Sequence, residues 1–163
     1  MVDYLFPALV TLFVTIDPIA LAPLFVTTTA GMPPEMRAHT ALLACITAGA
    51  ILVAFALIGQ PVIGYLGISL PAFRVAGGLM LFWIGFEMVF DLRQRRKSVA
   101  VRPIPAHEAP QLAVFPLAIP LIAGPGAISA TILTASRAPD AAALAGLVAV
   151  ILLLIGVCYA VFR

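Results

Sequence analysis

The chain has 163 residues, of which 63% are hydrophobic and only 10% are charged, and its mean hydropathy is +1.16. Soluble domains carry about 25% charged residues and disordered chains are poor in apolar ones, so the composition argues against both classes and indicates an integral membrane protein. The net charge of +2 is too small to be the footprint of a nucleic-acid-binding protein.

Apolar runs with few or no charges predict five helical spans, because each run is long enough to cross a hydrocarbon core of about 30 Å. In chain order they cover residues 4–29, 40–65, 71–90, 112–136 and 142–162. None of them alternates between apolar and polar residues as the strands of a β-barrel would. We therefore predict an all-α polytopic transmembrane helix bundle that forms a single membrane domain over residues 1–163.

The basic residues predict the orientation, since short loops rich in Lys and Arg stay cytoplasmic. A polar, basic loop at 91–111 separates the third and fourth spans. If this loop is cytoplasmic, Arg74 and Arg137 are external, and all the other basic residues lie inside: Arg37, Arg93, Arg95, Arg96, Lys97, Arg102 and Arg163. The N-terminus is then external.

The first span contains Asp17 followed by Pro18. Proline inside a continuous helix removes a hydrogen bond and clashes with the preceding turn, whereas Asp-Pro is a natural N-cap and first helical position. The pair therefore predicts a helix that stops and restarts within the membrane.

The fourth span carries a similar device. Pro116 and Pro120 precede the sequence Gly124-Pro125-Gly126, and a second half-helix is expected to follow. Both breaks would present helix N-termini, with free N–H groups and positive dipole ends, to the interior of the bundle.

A shift of 107 positions lays span one on span four and span two on span five, with Pro18 on Pro125 and Gly49 on Gly156. Units of three spans would be inverted relative to each other, as in many secondary transporters. We predict repeat one over 1–92 and an incomplete repeat two over 112–163. The partner of span three, a sixth helix, would fall at about residues 178–197 and is absent from this chain.

Candidate substrate- or ion-binding residues gather at the two breaks and near the end of span three. They are Thr15, Asp17, Pro18, Thr27, Glu87, Pro120, Gly124, Pro125, Gly126 and Ser129. A charge at membrane depth is costly, which favours a functional role for Asp17. Three structural alternatives stay open. Asp17 only caps its half-helix, the prolines and glycines of span four only let the helices bend and pack, and Glu87, like Arg74, extends to the membrane surface.

Motifs for catalysis or metal binding are not found in the sequence. The spans contain no Ser/His/Asp constellation, no H-E-x-x-H and no paired acidic motif, and Cys45 and Cys158 form no C-x-x-C pair. We expect no enzyme activity, no catalytic residue, no cofactor and no metal site.

Several segments resemble the MarC family of bacterial inner-membrane proteins. These are Asp17-Pro18 with Pro23-Leu24-Phe25, residues 72–78, and above all residues 114–128 with their Pro-Leu-Ala-Ile-Pro-Leu-x-x-Gly-Pro-Gly-Ala-Ile pattern. The resemblance implies a six-helix protein of the broad LysE-type transporter group, located in the bacterial inner (plasma) membrane. Some members of the family are described as transporters of small neutral amino acids. It highlights Asp17, Pro18, Pro120 and residues 124–126, with Glu87 where an acidic residue is usual.

These observations lead to two functional hypotheses. The first is a secondary transporter or exporter of a small polar metabolite such as a neutral amino acid, working by alternating access. The alternative is a non-transporting structural or partner-binding membrane protein. The expected partners are the lipid bilayer and a small-molecule substrate with proton or sodium coupling, but no nucleic acid, and a homo-oligomer stays open.

Overall fold

The computed structural model describes residues 1–90 and 113–163, and within these ranges it is all-helical, as predicted. The basic loop 91–111 lies outside the described residues. The described residues form six regular helices and one irregular segment. They are α1 (Val2–Ile16), α2 (Pro18–Thr28), α3 (Pro34–Tyr65), α4 (Leu70–Val89), the kinked segment (Ala113–Ile122), α5 (Pro125–Ala135) and α6 (Ala141–Phe162).

In the part of the chain that the structure describes, four stretches are long and apolar enough to cross a membrane. The kinked segment and α5 make a fifth if this bent pair is counted as one span. Helices α1 and α2 together make one 27-residue stretch, interrupted at Asp17. The main boundary difference is at α3, which begins at Pro34 rather than at Thr40. Proline is pre-organised for the first helical position, so the helix starts there and carries Glu35 in its first turn.

The kinked segment is less regular than the helical span that the sequence predicts over residues 112–136. Phe115 (φ −133°, ψ 126°) and Ile119 (φ −125°, ψ 125°) have extended backbone, and each precedes a proline. The ring of a proline clashes with a helical residue before it, which pushes that residue out of the helical region. The segment then meets α5 at a bend of 57°.

Helix α3 packs against α6, α5 and the kinked segment. Its buried face is built from small residues, among them Ala41, Ala44, Ala48 and Gly49. A Cβ on Gly59 would lie only 2.6 Å from Ile132 Cγ1 of α5, so the two backbones approach closely. Small residues of this kind are typical of helix contacts within membranes.

Contacts across the sequence join the two ends of the chain. The Tyr4 hydroxyl donates a hydrogen bond of 3.0 Å to the Thr134 carbonyl at the end of α5. The Phe25 ring at the end of α2 stacks on the Phe162 ring at the end of α6, with centroids 4.5 Å apart. The first span is thereby fixed against the last two.

Candidate functional site

The first break is centred on Asp17. Its backbone is left-handed (φ 59°, ψ 63°), a conformation that Asp tolerates better than most non-glycine residues. Its N–H donates to the Phe13 carbonyl at 2.8 Å and closes α1, while its Oδ1 accepts from the Ala20 N–H at 3.3 Å and caps α2. The predicted stop and restart of the helix is confirmed, and Asp17 does cap the restarted half.

The second break is built differently. Gly124 has extended backbone (φ −76°, ψ 166°), and α5 has no side-chain cap among the described residues. A Cβ on Gly124 would lie 2.6 Å from the Pro120 carbonyl oxygen, so only glycine fits without a backbone shift. The N–H groups of Gly126 and Ala127 therefore open α5 without the carboxylate that α2 receives.

Helix α4 lies against α5 in an antiparallel register. A Cβ on Gly77 would lie 2.7 Å from Leu133 Cδ1, and the Ile84 side chain packs directly on Gly126. A step of seven residues along α4, from Gly77 to Ile84, thus corresponds to a step of seven residues back along α5, from Leu133 to Gly126. Between these points, the Ser129 hydroxyl lies 3.9 Å from the Met80 sulfur.

Glu87 occupies the next turn of the same α4 face. The buried residues of α4 are Gly77, Ile84 and Glu87, and Glu87 is only 4% exposed. The register carries its side chain past Gly126, to the level of the second break. The structure therefore places this carboxyl inside the bundle rather than at the membrane surface, whereas Arg74 is exposed near the start of α4.

The sequence-predicted site residues divide into groups. The structure brings Pro120, Gly124, Gly126 and Glu87 to one level at the second break, while Asp17 and Pro18 form the first break. Three hydroxyls that were expected to be ligands point back to their own helices or to α4. Thr15 donates to the Thr11 carbonyl at 2.9 Å, Thr27 donates to the Pro23 carbonyl at 2.7 Å, and Ser129 faces Met80.

Sequence reasoning ranked Asp17 above Glu87 as the acidic residue inside the membrane, but Asp17 is half-buried and Glu87 is almost completely buried. The signal for Glu87 was the spacing from Gly77 through Ile84 to Glu87, which is one helix face with a glycine on it. In the described ranges, no group of three His, Cys, Asp or Glu side chains could hold a metal ion.

Comparison with known proteins agrees with this architecture. Residues 2–163 match the family described as "MarC family integral membrane protein". The chain belongs to the MarC family. This membership rests on the whole chain rather than on the proline-rich motif alone.

Relatives in the family share the description "UPF0056 membrane protein". One from Methanocaldococcus jannaschii is 40% identical over 128 residues, which cover 78% of this chain and 56% of the relative. A second protein from that organism is 36% identical and covers 96% of this chain and 76% of the relative. One from Escherichia coli K12 is 31% identical, with 97% and 74% covered.

The match to the first of these relatives spans little more than half of its length, and the matches to the other two span about three quarters. No solved structure matches the chain. The relatives' names state membrane location and family, and no substrate.

Proposed function

We propose that this MarC-family chain is part of a secondary transporter or exporter of a small polar metabolite, such as a neutral amino acid, in the bacterial inner membrane. The observation that carries the proposal is the pair of broken spans. Both half-helices, α2 and α5, begin inside the apolar bundle. Irregular backbone at membrane depth is tolerated where it is buried in protein or lines a cavity, and in transporters it forms the binding site.

The packing pattern supports an inverted repeat. In the two units of the repeat, α1 is equivalent to the kinked segment, α2 to α5 and α3 to α6. The contact of α1 with α6 then corresponds to that of the kinked segment with α3, and the contact of α2 with α6 to that of α5 with α3. The contact of α1 with α5 corresponds in the same way to that of the kinked segment with α2. Two such units rocking about a shared site would give alternating access.

The surface of α2 supports a sixth helix in the complete transporter. The α5 residues that meet α4 are Gly126, Ser129 and Leu133. Their equivalents, 107 positions earlier, are Ile19, Ala22 and Val26, and the Ile19 and Val26 side chains are 69% and 54% exposed. A helix that packs on α2 as α4 packs on α5 would cover this face.

The chemistry of the two breaks fits a small zwitterion. The N–H groups that open α5 and the positive end of its dipole suit a substrate carboxylate. The Asp17 carboxylate suits a substrate ammonium group or a coupling cation. Helix α1 packs along α5 from the contact between Tyr4 and Thr134, so its far end at Asp17 is carried toward the beginning of α5.

Transport by the purified protein in proteoliposomes tests the proposal. We expect saturable uptake of radiolabelled neutral amino acids that depends on a proton or sodium gradient, and we expect Asp17→Asn to abolish it. Asp140→Asn is a matched control, because Asp140 also caps a helix, accepting from the Ala143 N–H at 2.7 Å at the start of α6.

Two outcomes would contradict parts of the proposal. Absence of gradient-dependent uptake across the amino-acid panel would favour the structural or partner-binding alternative. Normal uptake by Asp17→Asn would remove the Asp17 carboxylate from coupling and leave it as a cap alone.

A further inference from the structure

We propose that the cleft between the beginning of α3 and the end of α6 binds the headgroup of an anionic phospholipid. Among the described residues, the cleft is lined by Pro34, Glu35, Arg37, Ala38, Phe162 and Arg163. Its volume is about 390 Å³, which lies in the range of pockets that hold small ligands. Lipid binding at this cleft does not depend on whether the protein transports a substrate.

The first argument is the position of the two arginines at the ends of apolar stretches. Residues 38–73 and 141–162 contain no Asp, Glu, Lys or Arg, so Arg37 directly precedes one uncharged stretch and Arg163 directly follows the other. Arginines at the ends of membrane-spanning helices extend to the interface, where the lipid headgroups lie. The sequence also predicts both arginines on the cytoplasmic side, together with most of the other basic residues. The cleft thus lies at the depth of the lipid phosphates.

The second argument is the charge of the cleft. It contains two guanidinium groups, from Arg37 and Arg163, and one carboxylate, from Glu35, and therefore has a net charge of +1. A guanidinium group can donate two parallel hydrogen bonds to the oxygens of a phosphate. Helix α3 begins at the cleft and no described side chain caps it, so the positive end of its dipole adds to the attraction. The excess of positive charge favours an anionic headgroup over a zwitterionic one.

The third argument is the apolar wall beside these charges. Phe162 is only 4% exposed, and its ring stacks on the Phe25 ring of α2. Pro34 and Ala38 supply apolar surface on the α3 side, next to the half-buried Arg37. A phospholipid has the same two parts, a charged phosphate and an apolar region, whereas a free phosphate ion has only the first. Basic pockets between membrane-spanning helices are typical binding sites for anionic headgroups.

Native mass spectrometry of the purified protein in detergent tests the proposal. The probes are phosphatidylglycerol, which is anionic, and phosphatidylcholine with the same acyl chains, which is zwitterionic. We expect the first phosphatidylglycerol to bind with a Kd about fivefold lower, since the attraction of an anionic lipid to one net positive charge near the surface corresponds to about that factor. Equal affinities for the two lipids would overturn the proposal. Dimers without bound lipid would overturn it as well, because a second copy of the chain would then cover the cleft.

Substitutions locate the binding site. Arg37→Gln and Arg163→Gln are each expected to raise the Kd for phosphatidylglycerol about fivefold, because each removes one positive charge from the cleft. Arg74→Gln is the matched control and should leave the Kd unchanged, since Arg74 is an exposed arginine near the start of α4, outside the cleft. Equal weakening in all three variants would show that the lipid binds to positive charge anywhere on the surface, and would contradict a site in the cleft.

The carboxylate of the cleft gives a test with the opposite sign. Glu35→Gln removes a negative charge, so we expect it to tighten the binding of phosphatidylglycerol. Weaker binding in this variant would contradict an anionic headgroup, because only a ligand with a positive group gains from the Glu35 carboxylate.

A soluble phosphodiester distinguishes a lipid headgroup from a free phosphate ester, and this measurement uses the unmodified protein. Glycerophosphoglycerol carries the phosphate and headgroup of phosphatidylglycerol without its acyl chains. We expect it to leave the lipid bound at equal concentration, because it has no apolar part to pack beside Phe162. Displacement of the lipid under these conditions would show that the cleft binds a soluble phosphate ester and would contradict the proposal.

Discussion

The two breaks occupy equivalent places in the chain, but the half-helix that follows each break begins in a different way. At the first, a left-handed Asp17 closes α1 and caps α2 with its own carboxylate. At the second, an extended Gly124 lies against the Pro120 carbonyl and α5 begins without such a cap. The first break therefore brings a fixed negative charge to its half-helix, and the second presents backbone N–H groups.

This difference suggests that the two breaks bind groups of opposite charge. A side-chain cap occupies one of the first N–H groups of a helix and places a negative charge beside the others, whereas an uncapped helix has these groups available to an anion. In the transporter that we propose, the second break would bind the substrate anion. The first would supply the opposite charge.

The largest effect on this comparison is expected from Gly124→Ala. The new Cβ would meet a backbone carbonyl that cannot move without shifting the kinked segment, so we expect a loss of roughly 2–3 kcal/mol of stability. Thermal unfolding in detergent measures it. Gly78→Ala is the control, because a Cβ there meets nothing within 4 Å. Equal melting temperatures for the two variants would show that the second break is not tightly built.

The half-helices themselves differ in how they are covered, and truncating equivalent side chains sharpens that difference. Leu133→Ala removes a buried side chain that packs on Gly77 and is expected to cost about 2 kcal/mol, at the lower end of the range for buried leucine. Val26→Ala, at the equivalent position of α2, is expected to change stability by less than about 0.5 kcal/mol, because Val26 is exposed. A large loss for Val26→Ala would mean that α2 is already covered by another copy of the chain.

The smallest difference between paired variants is expected at Asp17. Loss of the cap in Asp17→Ala should cost about 1 kcal/mol, while Asp17→Asn should stay near the unmodified protein because asparagine can also cap and adopt the left-handed conformation. Unfolding in detergent compares the two. If Asn destabilises as much as Ala, the charge and not the cap holds the first break.

The sequence was informative about the breaks because the causes are local. Asp17-Pro18 and Gly124-Pro125 act on their own backbone, and the five spans follow from hydropathy. The extended residues Phe115 and Ile119 also have a local cause, the proline after each, although the sequence analysis predicted only a helical span there.

The direction of Glu87 had no such local cause. Helix α4 is apolar nearly all around, so hydrophobic periodicity does not mark which side faces the bundle. Packing determines which side of α4 faces the bundle. Ile84 packs on Gly126, and this contact orients the face that carries Glu87 toward the interior. The sequence analysis ranked Glu87 below Asp17 because Glu87 lies closer to a helix end. Burial, however, depends on which face of α4 contacts α5, and the sequence does not reveal that face.

The hydrogen bond from Tyr4 to Thr134 joins residues 130 positions apart and has a consequence for biogenesis. Translation delivers α1 to the membrane long before α5 exists. Until α5 is inserted, the Tyr4 hydroxyl has only water or lipid headgroups as hydrogen-bond partners. The contact of Leu5 with Gly146 likewise forms only after α6 is inserted. The first span can thus be inserted early, but it reaches its final position only after α5 and α6 have entered the bilayer. Docking of α1 is therefore a late step of assembly.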